Sequence, residues 1–251
     1  MTAIVPQTMQ LHRYSPGHMI CRASYFDGSS AMSSPHATTI GILGAGRVGT
    51  ALARQAMKAG YRVRIATTQS AADNALLVEI VTPGAVAVQA SEAAASDLVV
   101  LAIPLHKYRT LNPLDLTGRI VIDAMNYWAP VDGVFDDFES DSRTTSEVVE
   151  SFLTGARVVK SLNHIGYHEL EEDDKPAGDA SRRALALAGD DAAAKSFVSH
   201  FIDRLGYDAV DAGPLAAGRS FQPATEIFTG SHTANQLVAL IQKDRPLADA
   251  A

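Results

Sequence analysis

The chain has 251 residues, of which 47% are hydrophobic and 20% are charged, and its formal net charge is −7. This composition is typical of a globular protein with a substantial core, and the negative charge argues against a general nucleic-acid-binding protein. The single cysteine, Cys21, excludes an intrachain disulfide and a cysteine-based metal site. No apolar run approaches the ~20 residues that span a bilayer, so we expect no membrane segment and a cytoplasmic protein.

Residues 1–37 contain scattered prolines, glycines and serines without periodicity. They lack the charged start and apolar core of a secretory signal, and we predict a disordered extension, with a functional arm as the alternative. The predicted organisation continues with a dinucleotide-binding domain at 38–162, a small substrate-side portion at 163–228 and a tail at 229–251. The tail is expected to pack on its own domain or on a neighbouring subunit, because it contains an apolar run at 237–241.

An apolar run at residues 40–43 leads into a G-x-G-x-x-G fingerprint formed by Gly44, Gly46 and Gly49. An alanine-rich helical stretch follows at 50–59, and a second strand is predicted at 61–66. In such a βαβ unit the first glycine makes the tight turn, the second admits a pyrophosphate and the third lets the helix pack on the sheet. The pattern predicts a dinucleotide at a helix N-terminus, with a merely structural turn as the alternative.

Helical and strand patterns alternate along the rest of the chain. Further helices are predicted at 71–80, 91–95, 145–152 and 192–205, and further strands at 85–88, 97–103, 119–124, 157–162, 183–188 and 207–212. This alternation predicts an α/β fold, namely a Rossmann-type doubly wound parallel sheet with a small C-terminal α/β portion.

The end of the second predicted strand is the position that usually selects between NAD and NADP. An acidic residue there accepts from the 2′-hydroxyl of NAD, whereas an arginine accommodates the 2′-phosphate of NADP. Residues 66–70 contain neither an acidic residue nor an arginine, and no Asp or Glu lies between Gly44 and Asp73. Arg47 or Arg64 could serve as the cation instead. Thr67, Thr68 and Ser70 could donate to a phosphate, so we expect NADP, with NAD as the alternative.

Two further strand ends are expected to line the cofactor cleft, because ligands of open α/β sheets bind at the carboxyl ends of the strands. One is formed by Ile103, Pro104 and Leu105, and the other contains Asn126. The alternative is that Pro104 and Trp128 are ordinary strand terminators and core residues.

Five segments in this order resemble the NADPH-dependent reductases of the deazaflavin coenzyme F420. They are residues 41–49, 100–105, 121–128, 156–166 and 211–215. The resemblance covers about residues 39–228, and it implies an oxidoreductase that passes a hydride directly between NADP(H) and coenzyme F420 as co-substrate. At the end of the second strand, where the family usually carries Ser-Arg or a Gly-Ser variant, this chain has Thr67 and Thr68.

The resemblance also implies which residues form the site. The dinucleotide would contact the glycine turn and three strand ends, which comprise Gly44, Ala45, Gly46, Arg47, Val48, Gly49, Thr67, Thr68, Ile103, Pro104, Leu105 and Asn126. The catalytic residues near the deazaflavin would be Asn163 and His164, with His164 either a hydrogen-bond partner of the ring or a structural loop histidine. The substrate pocket would be closed by Ala212, Gly213, Pro214 and Leu215, and no metal is expected.

Other functions stay open at this point. The same cofactor could serve a reductase of a flavin, an imine or another small carbonyl compound, and a non-catalytic NADP-binding protein is a third alternative. We expect a small-molecule substrate, no nucleic acid or membrane partner, and a homodimer as one possible assembly. Candidate cations for the anionic tail of coenzyme F420 are Lys107, Arg109, His168, Arg182, Arg183 and Arg219.

Overall fold

The computed structural model describes residues 38–139 and 142–244. The predicted extension at 1–37 and the last part of the predicted tail, 245–251, lie outside the described residues. Within those two ranges no helix is both long enough and apolar enough to cross a membrane.

One sheet organises the described part of the chain. Its eight strands are β1 (Thr39–Leu43), β2 (Arg62–Ala66), β3 (Val86–Ala87), β4 (Leu98–Leu101), β5 (Ile120–Asp123), β6 (Arg157–Ser161), β7 (Ala184–Gly189) and β8 (Asp208–Gly213). They lie in the order β3-β2-β1-β4-β5-β6-β7-β8. Strands β1 to β6 pair in parallel, β7 is antiparallel to β6, and β8 is parallel to β7. The predicted Rossmann-type α/β fold is confirmed, although the sheet is mostly rather than wholly parallel.

Eleven α-helices are described, and they are α1 (Arg47–Lys58), α2 (Ala71–Val81), α3 (Ala90–Ala94), α4 (Pro113–Leu116), α5 (Ala129–Asp132), α6 (Asp136–Glu139), α7 (Thr145–Phe152), α8 (Glu169–Glu172), α9 (Ala192–Arg204), α10 (Glu226–Thr229) and α11 (Ala234–Asp244).

The reversal of strand direction at β7 follows from the connection that precedes it. Between β6 and β7 the chain forms only the four-residue α8. A parallel neighbour needs a connection that returns across the sheet, and this segment instead stays at the edge where β6 ends.

Helices cover both faces of the sheet, and two 3₁₀ helices, Leu105–Thr110 and Leu215–Phe221, complete the covering layers. On one face, α1 packs on β1 and β2, and α9 packs on β6, β7 and β8. Leu52 of α1 and Val198 of α9 belong to the same buried cluster. On the other face, α7 packs on β5 and β6 in a second cluster. Helix α11 buries Leu237 and Ile241 against β7 and β8, so this part of the predicted tail packs on its own sheet.

Candidate active site

The turn between β1 and α1 contains a glycine that its own surroundings require. Gly44 has a φ of +121°, and a Cβ at this position would lie 2.3 Å from the carbonyl oxygen of Ala102. Its N–H donates to the carbonyl of Ala66 at 2.9 Å, which ties the turn to the end of β2. Gly49 is equally constrained, since its Cβ would lie 2.0 Å from the carbonyl oxygen of Gly44. Both residues therefore allow α1 to pack closely on the sheet, as in a dinucleotide-binding turn.

Gly46 differs from these two glycines because the described protein itself does not need it. It is the N-cap of α1 with φ −77° and ψ −173°, a conformation open to any residue. An added Cβ would meet no atom of the described chain within 4 Å. The open space lies at the N-terminus of a 12-residue helix whose first turn carries no acidic residue. Free N–H groups and the positive end of the helix dipole favour an anion there, so the turn fits a pyrophosphate.

A cavity of about 660 Å³, cavity 1, opens over this turn at the carboxyl ends of β1, β2 and β4. Its walls include nine residues at the ends of those strands, namely Leu43, Gly44, Ala45, Gly46, Ala66, Thr67, Thr68, Ile103 and Pro104. Leu105 instead lies in the core and is 1% exposed. Four polar residues from the segments after β3 and β4, namely Gln89, Lys107, Asn112 and Asp115, also line the cavity. Sequence motifs gave no signal for Gln89, Asn112 and Asp115, whereas Lys107 was among the candidate cations.

The wall at the end of β2 is organised by side-chain hydrogen bonds. Thr67 Oγ1 accepts from the Gln69 N–H at 3.1 Å and from Asn74 Nδ2 at 2.6 Å. Ser70 is the N-cap of α2, where its Oγ accepts from the Asp73 N–H at 3.2 Å and donates to Asp73 Oδ2 at 2.6 Å. The predicted ribose-binding segment therefore lines the cavity in a fixed conformation.

A second cavity of about 320 Å³, cavity 2, lies at the ends of β5 and β6. It is lined by Asn126, Asn163 and His164, and by Val48 from the first turn of α1. Residues 228–231, which sequence motifs did not single out, form another wall. Because the N-cap Gly46 lines cavity 1 and Val48 lines cavity 2, the start of α1 contributes to both cavities.

Two asparagines bridge the strands beside cavity 2. Asn126 Nδ2 donates to the carbonyl oxygen of Asn163 at 2.7 Å, and Asn163 Nδ2 donates to Asn126 Oδ1 at 3.0 Å. Asn163 Nδ2 also donates to the carbonyl oxygen of Phe221 at 2.8 Å. The preceding residue, Leu162, has a φ of +63°, a sparsely populated conformation for a residue with a side chain. The surrounding bonds thus hold the turn after β6 in a conformation that the local chain does not favour.

His164 is buried at the inner side of this network. Its Nε2 accepts from the Ala186 N–H at 2.9 Å, and its Nδ1 lies 3.2 Å from Asn163 Oδ1. The acceptor role of Nε2 places the proton on Nδ1, so both ring nitrogens have partners within the protein. Burial lowers the pKa of His164 from 6.5 to about 3, and the positive charges of Arg183 and Lys160 act in the same direction.

We expect His164 to stay neutral between about pH 8 and about pH 5, because its folded pKa lies well below that range. Its folded pKa is lower than its unfolded value of 6.5, so its stabilising contribution is complete above that pH and declines as the pH falls toward 3. Nitrogen chemical shifts of the ring should show protonated Nδ1 and unprotonated Nε2 throughout. A titration midpoint within the range would contradict this assignment.

A buried ion pair lies behind the end of β5. Asp123 and Lys160 face each other on β5 and β6, with 3.5 Å between Oδ2 and Nζ, and they are 0% and 1% exposed. Asp123 Oδ1 accepts from the Met125 N–H at 2.9 Å, and Lys160 Nζ donates to the Met125 carbonyl oxygen. Burial lowers the pKa of Lys160, whereas the charge of Asp123 acts against that decrease. The ion pair thus holds the backbone N–H and the carbonyl oxygen of Met125, the residue that precedes Asn126.

Other residues predicted for the site lie outside the two cavities. The predicted pocket-closing residues 212–215 include the last two residues of β8. Because β8 runs opposite to β6, they lie at the end of the sheet away from the carboxyl end of β6. The Asn163 side chain instead contacts the last residue of the 3₁₀ helix Leu215–Phe221, because its Nδ2 donates to the carbonyl oxygen of Phe221. The Arg47 guanidinium lies 5.7 Å from the ring centre of Tyr167 rather than in cavity 1.

The candidate cations for an anionic tail differ in their surroundings. The Arg183 guanidinium binds carboxylate oxygens of Glu169 and Asp173, and that of Arg182 binds those of Asp203 and Asp208. Arg109 pairs with a carboxylate, Arg219 donates to a backbone carbonyl, and His168 contacts the ring of Tyr167. Lys107 alone of the six lines cavity 1. Within the described residues no group of three or more acidic, histidine or cysteine side chains could hold a metal ion.

Comparison with known proteins agrees with these features. Residues 39–127 match the family described as NADP oxidoreductase, coenzyme F420-dependent. A hypothetical protein of Sinorhizobium meliloti shares 29% sequence identity and a TM-score of 0.68, over 78% of this chain and 95% of that chain. A protein of Arthrobacter sp. FB24, provisionally named an F420-dependent NADP-reductase, shares 23% identity and a TM-score of 0.60, over 73% and 88%. No curated protein matches the sequence.

The similarity in fold extends to other enzymes. The 3-hydroxyisobutyrate dehydrogenase of Mycobacterium tuberculosis has a TM-score of 0.52 at 19% identity, over 73% of this chain and 57% of that chain. The likeness to this protein and to the Arthrobacter protein concerns the fold alone, whereas the family match covers the glycine turn and the ends of β2, β4 and β5. Residues 39–127 are thus similar to the family of coenzyme F420-dependent NADP oxidoreductases, and this match supports an NAD(P)-dependent oxidoreductase.

Proposed function

We propose that this protein transfers a hydride between NADP(H) and the deazaflavin coenzyme F420. The observation that carries the proposal is the position of the two cavities, which both include a residue from the start of α1. In the reductive direction, NADPH supplies a hydride and solvent supplies a proton, so that reduced F420 and NADP⁺ are formed. Direct transfer between two rings requires alignment and exclusion of water more than a strong acid or base.

Cavity 1 supplies the dinucleotide end of this arrangement. Gly46 and the N-terminus of α1 would hold the pyrophosphate, and Thr67 and Thr68 would face the adenosine ribose. Ile103 and Pro104 would contact the dinucleotide at the end of β4. These residues lie at the carboxyl ends of the parallel strands, where open α/β folds bind their ligands.

Cavity 2 supplies the end at which the second ring would bind. Asn126 and Asn163 hold each other through two hydrogen bonds, so their amide groups are already oriented before a ligand arrives. His164 contributes by positioning, because its proton is directed to Asn163 Oδ1 and its other nitrogen is bound to the Ala186 N–H. A preorganised polar wall of this kind orients a flat ring without transferring a proton.

The experiment mixes the enzyme with NADPH and oxidised coenzyme F420 and follows the loss of the visible absorbance of the deazaflavin. A parallel reaction contains a flavin, and a third contains an imine. We expect rapid loss of absorbance with the deazaflavin only. If NADPH binds but no hydride reaches the deazaflavin even at stoichiometric enzyme, the proposal is wrong, and transfer to the flavin or imine would establish the corresponding alternative.

An Asn126→Ala variant tests the role of the asparagine pair. We expect the rate of hydride transfer to fall by about 10- to 100-fold, because a loss of alignment of about 1 Å has effects of this size. Affinity for NADPH should stay within about threefold, since the pyrophosphate contacts do not involve this side chain. Leu114→Ala is a suitable control, because Leu114 is 82% exposed and lines neither cavity. Equal rates for Asn126→Ala and this control would contradict the alignment role.

A further inference from the structure

We propose that Asp73 is a specificity-determining residue, whose carboxylate opposes the 2′-phosphate of NADP and so reduces the preference of the enzyme for NADP over NAD. This inference rests on the dinucleotide site of the proposed function. It concerns the part of cavity 1 formed by residues 67–70, at the end of β2.

The carboxylate of Asp73 lies one hydrogen bond behind the cavity wall. Ser70 lines cavity 1, and its Oγ lies 2.6 Å from Asp73 Oδ2. An ionised carboxylate only accepts hydrogen bonds, so the hydroxyl proton of Ser70 is directed to Asp73 and away from the cavity. The Ser70 hydroxyl is therefore engaged before a phosphate could use it as a donor.

Asp73 also offsets a feature that would otherwise favour a phosphate. The N-terminus of α2 begins at Ser70, and the positive end of a helix dipole favours a nearby anion. Asp73 lies in the first turn of this helix and already supplies that anion. An additional dianionic group at the same helix end would meet the negative charge of the carboxylate.

The rest of cavity 1 offers little positive charge in compensation. Among the described residues that line it, the ionised side chains are those of Lys107 and Asp115, whose charges are opposite. Arg64 on β2 is not among the lining residues, and its guanidinium donates to the carbonyl oxygen of Glu92. Thr67 and Thr68 remain as hydroxyl groups at this wall. Such a subsite suits the uncharged 2′-hydroxyl of NAD at least as well as a phosphate.

The test measures dissociation constants of NADP and NAD by calorimetry, without coenzyme F420. The variants are Asp73→Asn and, as a matched control, Glu79→Gln, which removes an exposed carboxylate from a later turn of the same helix. Asparagine can still accept from Ser70, and the backbone N–H of residue 73 still reaches the Ser70 Oγ, so the helix cap is retained. Thermal unfolding checks that both variants are folded.

We expect the wild-type constants for NADP and NAD to agree within about tenfold. Asp73→Asn should bind NADP about tenfold more tightly, with NAD affinity changed less than about twofold, because one charge near a dianion is removed. Glu79→Gln should leave both constants unchanged. If the ratio of the NADP and NAD dissociation constants changes no more in Asp73→Asn than in Glu79→Gln, the role of Asp73 is overturned and the proposed function is left intact. Absence of binding of either dinucleotide would overturn both.

Discussion

Gly46→Val is expected to weaken NADP binding by at least about 100-fold in a protein that remains folded. A valine side chain would occupy the space over the α1 N-terminus, which no atom of the described chain fills. Loss of two hydrogen bonds to a charged pyrophosphate costs about 3 kcal/mol or more, which corresponds to this factor. Valine is also a poorer N-cap than glycine, so the free energy of unfolding should fall by about 1 kcal/mol at most. Calorimetric titration with NADP and urea denaturation measure the two effects.

Gly49→Val provides the contrasting variant three residues further along α1. Its Cβ would lie 2.0 Å from the carbonyl oxygen of Gly44, so the helix would have to move away from the turn. We expect Gly49→Val to lose both stability and NADP binding, whereas Gly46→Val loses NADP binding and at most about 1 kcal/mol of stability. Full NADP affinity in Gly46→Val would show that the pyrophosphate does not lie at this turn.

The second large effect is expected from the buried ion pair. Lys160→Met should lower the free energy of unfolding by about 3–5 kcal/mol, because it leaves the buried carboxylate of Asp123 without its cation. The remaining bonds to Asp123, from the Met125 N–H and from the Ser146 hydroxyl, compensate only in part. Urea denaturation followed by circular dichroism gives the difference.

Lys58→Met is the matched control for this substitution. Lys58 pairs with Asp174 at 2.7 Å, but its side chain is 58% exposed. Exposed pairs contribute about 1 kcal/mol or less, so this variant should be nearly as stable as the wild type. Equal losses in Lys58→Met and Lys160→Met would refute the distinction between the surface pair and the buried pair.

The parallel half of the fold could be predicted from the sequence because each element carries its own local signal. The apolar run at 40–43, the glycine turn and the alanine-rich helix each report on a few neighbouring residues. The direction of β7 carries no such signal, since the apolar residues at 184–188 are buried whichever way the strand runs. That direction depends on the preceding connection, which lacks a helix long enough to cross the sheet.

The two cavities also differ in how far local sequence signals predict them. Cavity 1 consists largely of motif residues at strand ends, which the sequence identifies by their order. Cavity 2 depends on distant partners, such as the bond between Asn163 and the carbonyl of Phe221, 58 residues later. The bonding of His164 depends on the reversed β7, which supplies the Ala186 N–H. No short motif encodes such contacts, and therefore neither the neutral state of His164 nor the role of residues 228–231 could be read from the sequence.

The late position of β7 in the sequence also determines which of the two cavities can form first during synthesis. The residues that line cavity 1 lie between positions 43 and 116, whereas those that line cavity 2 extend to position 231. During synthesis on the ribosome, a nascent chain that ends near α7 already contains every lining residue of the first cavity. The wall of the second cavity needs β7, the 3₁₀ helix that ends at Phe221 and the loop after α10. The lining of cavity 1 is thus encoded within one stretch of the chain, and that of cavity 2 is completed more than a hundred residues later.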